Sequence, residues 1–214
     1  MGKVHVDITM SLDGFVAGPN DSPEQPLGEG GERLHEWAID LASWRERHGL
    51  EGGETGPDSE VVEETIRGTG ATVMGRRMFS GGEGAWEDDP NADGWWGDDP
   101  PFRHPVFILT HHPREAVTKQ GGTTFTFVTD GVESALEQAR AAAGDKDVAI
   151  AGGANTIQQF LSAGLIDELQ IHIAPILLGG GTRLFDQGAA NVTLETTRVI
   201  ESPRVTHLKY RVVK

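Results

Sequence analysis

The sequence predicts a single α/β domain in which helices flank a central mixed, mostly parallel sheet that ends in an antiparallel hairpin. Short apolar runs alternate with helix-like segments along most of the chain, and the last two alternating runs follow each other without a helix. The 214 residues contain no internal repeat and no segment with the composition of a linker. Residues 1–214 are therefore expected to fold as one domain.

The first half of the chain contains two predicted strands and two predicted helices. Alternating apolar residues indicate strands, and apolar residues at three- and four-residue spacing indicate helices. These elements are a strand at Lys3–Met10, a helix from Glu32 to about Arg47, a helix from an N-cap at Asp58 or Ser59 to about Arg67, and a strand at Ala71–Met74.

An acidic segment rich in Gly and Pro, Ser80–His104, is expected to form one long loop. Loops of this length inside a compact domain are commonly functional lids or mobile insertions. Trp86, Trp95 and Trp96 lie in this loop. They are expected either to stack on a planar ligand or to fasten the loop to the rest of the domain.

The second half of the chain alternates strands and helices more regularly. Asp130 is expected to cap a helix that buries Leu136 and Ala139 and stops at Gly144. The other predicted elements are strands at Val106–Leu109, Phe125–Val128 and Val148–Ile150, a helix around Ile157–Leu161 that ends at Gly164, a strand around Leu169–Ile173, a turn at Pro175–Thr182 and two final antiparallel strands.

The composition excludes several classes of function. A formal net charge of −15 argues against nucleic-acid binding, which requires a basic surface, and against binding to anionic membranes. The absence of cysteine removes disulfides, thiolate nucleophiles and cysteine-based metal sites. Because no apolar run is long enough to cross a membrane and no leader is visible, we expect a cytoplasmic protein.

The most informative motif is an apolar run that stops at Gly152-Gly153 and is followed by a helix. The backbone N–H groups and the dipole at such a helix N-terminus favour an anion, for example a cofactor phosphate. The spacing differs from the six-residue dinucleotide fingerprint, so a standard Rossmann site is not indicated. A tight turn without a ligand is the alternative interpretation.

Two other predicted strands also end in polar or glycine-bearing turns, at Gly75-Arg76-Arg77 and at Thr110-His111. Ligands of open α/β sheets bind at the carboxyl ends of the strands. Arginine can bind phosphate through two parallel hydrogen bonds, and the second turn can add donors. Taken with the glycine pair, these turns predict a phosphate-bearing cofactor, although each could separately be a solvated helix or turn.

Other catalytic classes lack their motifs. The chain has no GxSxG, HExxH or phosphate-binding GxxxxGK[ST] sequence. His111 and His112 are adjacent, so their side chains diverge and form a poor metal pair. No metal site is expected.

Four sequence segments together resemble the dihydrofolate-reductase-like superfamily. They are SLDGFVAG after the first strand, ATVMGRRMF, HPVFILTHHP, and IAGGANTIQQFLSAGLIDELQIHIAPILLGGGTRLFD. The chain is most similar to the reductase domain of bacterial riboflavin biosynthesis, the RibD C-terminal domain, and to its stand-alone relatives. The resemblance spans nearly the whole chain and implies a dihydrofolate-reductase-like fold.

This resemblance implies that NADPH binds across the three strand ends. Val16, Ala17 and Gly18 would lie against the nicotinamide end. The other implied cofactor-binding residues are Gly75, Arg76, Arg77 and Met78 for the phosphates and the adenosine 2′-phosphate, Leu109, Thr110 and His111 for the adenosine, and Gly152, Gly153, Ala154, Asn155 and Thr156 for the pyrophosphate. Either arginine could meet the 2′-phosphate.

Two aspartates are the candidate catalytic residues. Asp13 suits a contact with a substrate hydroxyl, as in the riboflavin branch, or it could cap its own loop. True dihydrofolate reductases hold the pteridine with a helical carboxylate, and alignment on Met74-Gly75 places Ser59 at that position with Asp58 beside it. Asp58 is therefore either an acid or an N-cap.

The resemblance implies an NADPH-dependent reductase that acts on a pyrimidine or pterin-like heterocycle. The nearest family activity is reduction of 5-amino-6-(5-phosphoribosylamino)uracil. A dihydrofolate reductase and a non-catalytic nucleotide-binding protein are the alternatives. A homodimer is also expected from the riboflavin branch.

Overall fold

The computed structural model describes residues 2–185 and 192–214. Its strands are β1 Val4–Ser11, β2 Phe15–Ala17, β3 Thr69–Gly75, β4 Pro105–Leu109, β5 Val117–Thr118, β6 Thr124–Val128, β7 Asp147–Gly152, β8 Glu168–Ala174, β9 Thr182–Arg183, β10 Thr193–Glu201 and β11 Thr206–Val213. Its α-helices are α1 Ala42–Arg47, α2 Pro57–Gly68, α3 Arg76–Ser80, α4 Val132–Ala143 and α5 Ala154–Ser162. Short 3-10 turns lie at Gly31–Leu34, Trp86–Asp88 and Gln120–Gly122.

Nine of these strands form one sheet in the order β10-β11-β8-β1-β7-β3-β4-β6-β5. The six central strands, from β8 to β6, run parallel. The hairpin of β10 and β11 pairs antiparallel with β8, and β5 pairs antiparallel with β6. The predicted fold class, a mostly parallel sheet with an antiparallel C-terminal hairpin, is confirmed. β2 and β9 form a separate two-stranded sheet that the sequence did not predict.

Helices and loops cover both faces of the sheet. On one face, α4 and α5 bury apolar side chains such as Leu136, Ile157 and Phe160 against the strands, as their helical spacing predicts. On the other face, α3 and the segment after it cover a second cluster, which contains Phe79 and Phe125. Burial of such side chains contributes about 1.5–3 kcal/mol each to folding.

The predicted helix from Glu32 to Arg47 is wrong. The chain makes a 3-10 turn at Gly31–Leu34, continues through further turns, and becomes α-helical only at Ala42. Leu41 is extended and forms a bridge with Glu54, so it cannot continue a helix. The apolar spacing was nevertheless meaningful, because Trp37 and Leu41 are buried in a small cluster.

Both predicted side-chain N-caps are also wrong. Glycine occupies the N-cap of α2 (Gly56, φ 131°) and of α4 (Gly131, φ 92°), and neither helix has a side-chain capping hydrogen bond. A positive φ angle favours glycine, which explains why glycine precedes the first residue of both helices. Pro57 is a suitable first residue for α2. Because Asp58 does not cap the helix, its carboxylate can accept hydrogen bonds from other side chains.

Within the described residues, no helix is both long and apolar enough to cross a membrane.

Candidate cofactor and substrate site

Three predicted turns converge at one edge of the sheet, where the parallel strands end. Gly75 pairs with Leu109, and Met74 pairs with Gly152, so the ends of β3, β4 and β7 are neighbours. A Cβ atom on Gly75 would lie 2.4 Å from the Oγ1 atom of Thr156, at the start of α5. The sequence motifs that were predicted to hold one cofactor therefore lie side by side.

The N-terminus of α5 presents bare backbone at this edge. Gly153 is its N-cap, with no side-chain capping hydrogen bond. A Cβ atom on Gly153 would have no heavy atom within 4 Å outside its chain neighbours. The peptide bond between Gly152 and Gly153 is cis. An uncapped helix N-terminus with open space beside it is suited to an anion, as the sequence predicts.

The contact between Gly75 and Thr156 gives a first prediction. Gly75→Ala is expected to destabilise the protein by about 1–3 kcal/mol, because its methyl group would overlap Thr156 Oγ1. The double variant Gly75→Ala/Thr156→Ala removes the overlapping atom and should recover most of that loss. Urea unfolding of both variants and of Thr156→Ala alone measures the rescue. If the two substitutions lowered the free energy of unfolding additively in the double variant, the predicted overlap would be contradicted.

Arg76 is buried beneath the loop that follows α3. Only 7% of its side chain is exposed, and its guanidinium carbon lies 3.1 Å from the ring centre of Trp86. Its Nη2 atom donates to Asp89, but its Nε and Nη1 atoms have no hydrogen-bond partner among the described residues. Buried donors are rarely left without a partner, so this side chain is suited to an additional anionic ligand.

Asp89 is the internal counterion of this arginine. It is 2% exposed and also accepts hydrogen bonds from Ser80 Oγ (2.7 Å) and from the backbone N–H of Asn91 (2.9 Å). Burial lowers the pKa of Arg76, and the charge of Asp89 opposes that shift. Arg77 differs: it is 54% exposed and pairs with Asp21 and Glu83 on the surface.

The tryptophans of the long loop fasten it to the domain. The Nε1 atom of Trp86 donates to the carbonyl of His112 (2.9 Å), and that of Trp95 donates to the carbonyl of Met78 (2.7 Å). The ring of Trp96 packs on Phe102. Of the two interpretations left open by the sequence, attachment of the loop is the one observed. Trp86 thereby joins Arg76 to the turn after β4.

The turn after β4 contributes Leu109, Thr110 and His111. The Thr110 N–H donates to the carbonyl of Val128 (3.1 Å), and its Oγ1 accepts from the N–H of His112 (3.1 Å). Thr110 is buried, whereas His111 is exposed. The turn is held in place but opens no helix.

Asp13 lies in the turn between β1 and β2, at the same edge of the sheet. Its carboxylate accepts hydrogen bonds from Ser11 Oγ (2.6 Å) and from the backbone N–H groups of Leu178 (3.2 Å) and Gly179 (2.7 Å). The Ser11 hydroxyl, together with these N–H groups, lowers the pKa of Asp13 to about 2. Asp13 therefore joins its loop to the turn that contains Leu178 and Gly179, and its contact with a substrate stays a prediction.

Val16, Ala17 and Gly18, which were predicted to lie at the nicotinamide end of a cofactor, follow this turn. Ala17 pairs with Thr182 in the small sheet. Gly18 is tightly enclosed, since a Cβ atom there would lie 2.0 Å from the carbonyl oxygen of Glu29. The segment is thus fixed at the end of β1, beside β7.

Asp58 lies in the first turn of α2. Its Oδ1 atom is 3.0 Å from His207 Nε2, and its Oδ2 atom accepts from Ser202 Oγ (2.9 Å). Ser59 is buried and donates to Ser43 Oγ (3.0 Å). The described residues contain no group of three or more His, Cys, Asp or Glu side chains that could hold a metal ion.

A model of the RibD C-terminal domain family matches residues 2–208. The chain belongs to the RibD C-terminal domain family. It is 27% identical over 212 residues to the uncharacterised protein YyaP of Bacillus subtilis, a match that covers 94% of this chain and 90% of that protein.

Solved structures share the fold of this RibD C-terminal domain. A putative riboflavin biosynthesis protein from Shewanella sp. PV-4 superposes with a TM-score of 0.66 at 23% identity, over 99% of both chains. A dihydrofolate reductase from Enterococcus faecalis, complexed with NADP(H), gives a TM-score of 0.55 at 13% identity, over all of this chain and 98% of the other. The expected dihydrofolate-reductase-like fold is confirmed.

Three residues near Asp58 form a buried cluster in this RibD C-terminal domain that the sequence did not predict. His172, His207 and Trp37 are buried in contact with one another. The alternation in β8 places Ile171 and Ile173 on one face, which leaves His172 on the other. The sequence does not show that Trp37 and α2 cover that face.

Proposed function

We propose that this chain is an NADPH-dependent reductase that transfers hydride to a C=N bond, or to a ribosyl carbon, of a pyrimidine or pterin-like heterocycle. The observation that carries the proposal is Arg76, a buried guanidinium with two nitrogens that have no partner among the described residues. Arg76 follows Gly75, which lies against the start of the uncapped helix α5. A buried cation with free donors suits a phosphate, and the bare helix N-terminus suits a second one.

The residues present fit a phosphorylated dinucleotide. Arg76 would bind the adenosine 2′-phosphate, which favours it over the exposed and already paired Arg77. The remaining contacts would come from the residues expected at each strand end: Val16, Ala17 and Gly18, Gly75 and Met78, Leu109, Thr110 and His111, and Gly152, Gly153, Ala154, Asn155 and Thr156. When bound, NADPH supplies the hydride, and the protein supplies orientation and a proton. The same fold carries NADP(H) in the Enterococcus enzyme.

The substrate would lie between Asp13 and Asp58. Folate is the less favoured heterocycle, since Ser59 stands where dihydrofolate reductases are expected to have a carboxylate, and its hydroxyl is hydrogen-bonded to Ser43. Homodimer formation and a cytoplasmic location stay predictions.

Calorimetric titration with NADPH tests the cofactor, and NADPH oxidation with a panel of pyrimidines, pterins and dihydrofolate tests the reaction. We expect saturable binding, tighter for NADPH than for NADH, and oxidation with 5-amino-6-(5-phosphoribosylamino)uracil or a close analogue. If NADPH shows no saturable binding, the proposal is refuted. Binding without turnover of any heterocycle would favour a non-catalytic nucleotide-binding protein, and turnover of dihydrofolate alone would favour folate reduction.

A further inference from the structure

Four ionisable side chains form a continuous hydrogen-bonded row beneath α2. His172 Nε2 lies 2.9 Å from Asp7 Oδ1, and His172 Nδ1 lies 2.6 Å from His207 Nδ1. His207 Nε2 then lies 3.0 Å from Asp58 Oδ1. The four residues come from β1, β8, β11 and α2, so the row is assembled by the fold and not by local sequence.

The two imidazoles at the centre of the row are shielded from solvent. Each His side chain is 3% exposed. The ring of Trp37 packs against both, with ring-centre distances of 4.9 Å to His172 and 5.2 Å to His207. Trp37 is itself held by a hydrogen bond from its Nε1 atom to Thr9 Oγ1 (3.2 Å). Water therefore cannot replace any hydrogen bond between the two rings.

Hydrogen-bond counting fixes the number of protons on the two rings. With both carboxylates ionised, each Nε2 atom faces a hydrogen-bond acceptor and therefore carries a proton. If both rings were neutral, both Nδ1 atoms would present lone pairs to each other at 2.6 Å, which is repulsive. One Nδ1 must also carry a proton. The pair thus holds three protons, which makes one ring an imidazolium.

Burial disfavours the positive charge on His207, which leaves the additional proton for the ring beside Asp7. Burial, and then the charge of His172, lower the pKa of His207, although its hydrogen bond to Asp58 opposes them. Burial alone would raise the pKa of Asp7, but the charge of His172 and its hydrogen bond hold that pKa well below its usual range. His172 therefore donates through Nδ1 to a neutral His207, whose Nε2–H donates to Asp58.

We propose that Asp7, His172, His207 and Asp58 store one proton and deliver it to Asp58 for the reduction. Delivery breaks the His172 Nδ1–H bond and forms a His207 Nδ1–H bond. It also breaks the His207 Nε2–H bond and protonates Asp58. Both rings are then neutral, and the Asp58 carboxyl can give its proton to the substrate atom next to the one that receives hydride. The delivery role rests on the proposed function, whereas the stored proton does not.

Asp58 is the end of the row on the side where the parallel strands end. Because α2 passes directly into β3, its N-terminus returns to the edge of the sheet where β3 ends at Gly75. Asp58 is 14% exposed and Asp7, at the other end, is 26% exposed, so solvent reaches both ends of the row. Asp58 is the proton donor in this scheme, and the two histidines act through it as positioning residues.

The other end of the row adjoins a small cavity of about 130 Å³. Thr65 and Gln170, which both donate to Asp7 Oδ2, line this cavity together with His5. A cavity of this size can admit water beside Asp7. His172 Nε2 keeps its proton throughout delivery, so the store is refilled through Asp58 by the same transfers in reverse. The other ionisable groups that influence Asp7 are His5 and Arg47; burial lowers the pKa of both.

Nitrogen NMR of protein labelled at histidine tests the stored proton. At neutral pH we expect one of the eight histidines to carry protons on both nitrogens, and the His172→Gln variant to remove that signal. Asp58→Asn should lower the pH at which this proton is lost, because the carboxylate at the end of the row favours a positive charge within the row. Glu60→Gln, the same charge change on an exposed residue of α2, should have no such effect. Two neutral rings at neutral pH would overturn the proposal.

The variant His207→Gln tests delivery. A glutamine amide can donate to Asp58 and accept from His172, but it cannot pass a proton between them. We expect unchanged thermal stability and NADPH affinity, with kcat for the substrate found in the panel reduced at least tenfold at alkaline pH and partly restored at acidic pH. An unchanged kcat and pH profile would overturn delivery. A failure of NADPH to bind would instead remove the proposed function and leave the NMR result standing.

Discussion

Arg76→Ala is expected to weaken NADPH binding by about 10- to 100-fold and to leave NADH binding within a few-fold of its original value. Hydrogen bonds to charged groups contribute about 1.5–3 kcal/mol, and each 1.4 kcal/mol is tenfold in affinity. NADH lacks the 2′-phosphate, so the ratio of the two affinities isolates the contact that we assign to Arg76. Calorimetric titration with both cofactors measures it.

Arg77→Ala is the matched control for this experiment. Arg77 is the next residue, but it is 54% exposed and pairs with Asp21 and Glu83, so its removal should change the ratio little. Because Arg76→Ala leaves the buried Asp89 carboxylate unpaired, the titration should be repeated with Arg76→Ala/Asp89→Asn. Equal losses for NADPH and NADH in both variants would show that Arg76 does not read the 2′-phosphate.

Asp89→Ala is expected to destabilise the protein by about 3–5 kcal/mol. The substitution leaves the Arg76 guanidinium buried without its counterion, which is costly in a site from which water is excluded. It also removes the acceptor for Ser80 Oγ and for the N–H of Asn91, so the long loop loses an attachment point. Urea unfolding, with the midpoint and the slope both recorded, measures the loss.

Asp99→Ala supplies the comparison within the same loop. Asp99 pairs with Arg103, but the two side chains are 51% and 43% exposed, and exposed ion pairs contribute about 0–1 kcal/mol. Similar losses for the two variants would mean that burial of the Arg76–Asp89 pair does not govern loop attachment. Saturating NADPH should restore more stability to Asp89→Ala than to the original protein, because a phosphate can then act as counterion to Arg76.

The parts of the fold that the sequence predicts correctly are those in which the local pattern and the tertiary environment agree. The apolar runs of β3 and β4 are buried on both faces, and β7 is buried at alternate residues, so their short apolar patterns identify them as strands. The segment Glu32–Arg47 has helical apolar spacing, but Leu41 pairs with Glu54 and interrupts the helix. The tertiary contact between Leu41 and Glu54, and not the local sequence pattern, determines where the helix begins.

The residues of the candidate site also fall into two groups, those that the sequence pattern indicates and those that only the fold brings together. Gly75, Arg76, Gly152 and Gly153 are recognisable because backbone and phosphate chemistry restricts which residues can follow a strand. The imidazole pair could not be found by such a rule, since His172 and His207 are far apart in sequence and become neighbours only through the pairing of β8 with β11. A histidine in an alternating strand is equally compatible with a solvated face.

Helix α2, strand β3 and helix α3 follow one another without a connecting loop, which limits where residues can be inserted or deleted. A single residue inserted into α2 would rotate Asp58 by about 100° relative to the rest of the helix, away from His207. An insertion into β3 would turn every following side chain to the opposite face of the sheet and misplace Arg76. Residues 57–80 should therefore tolerate no insertion or deletion, whereas exposed positions of the loop after them, such as Gly84, should accept several added residues.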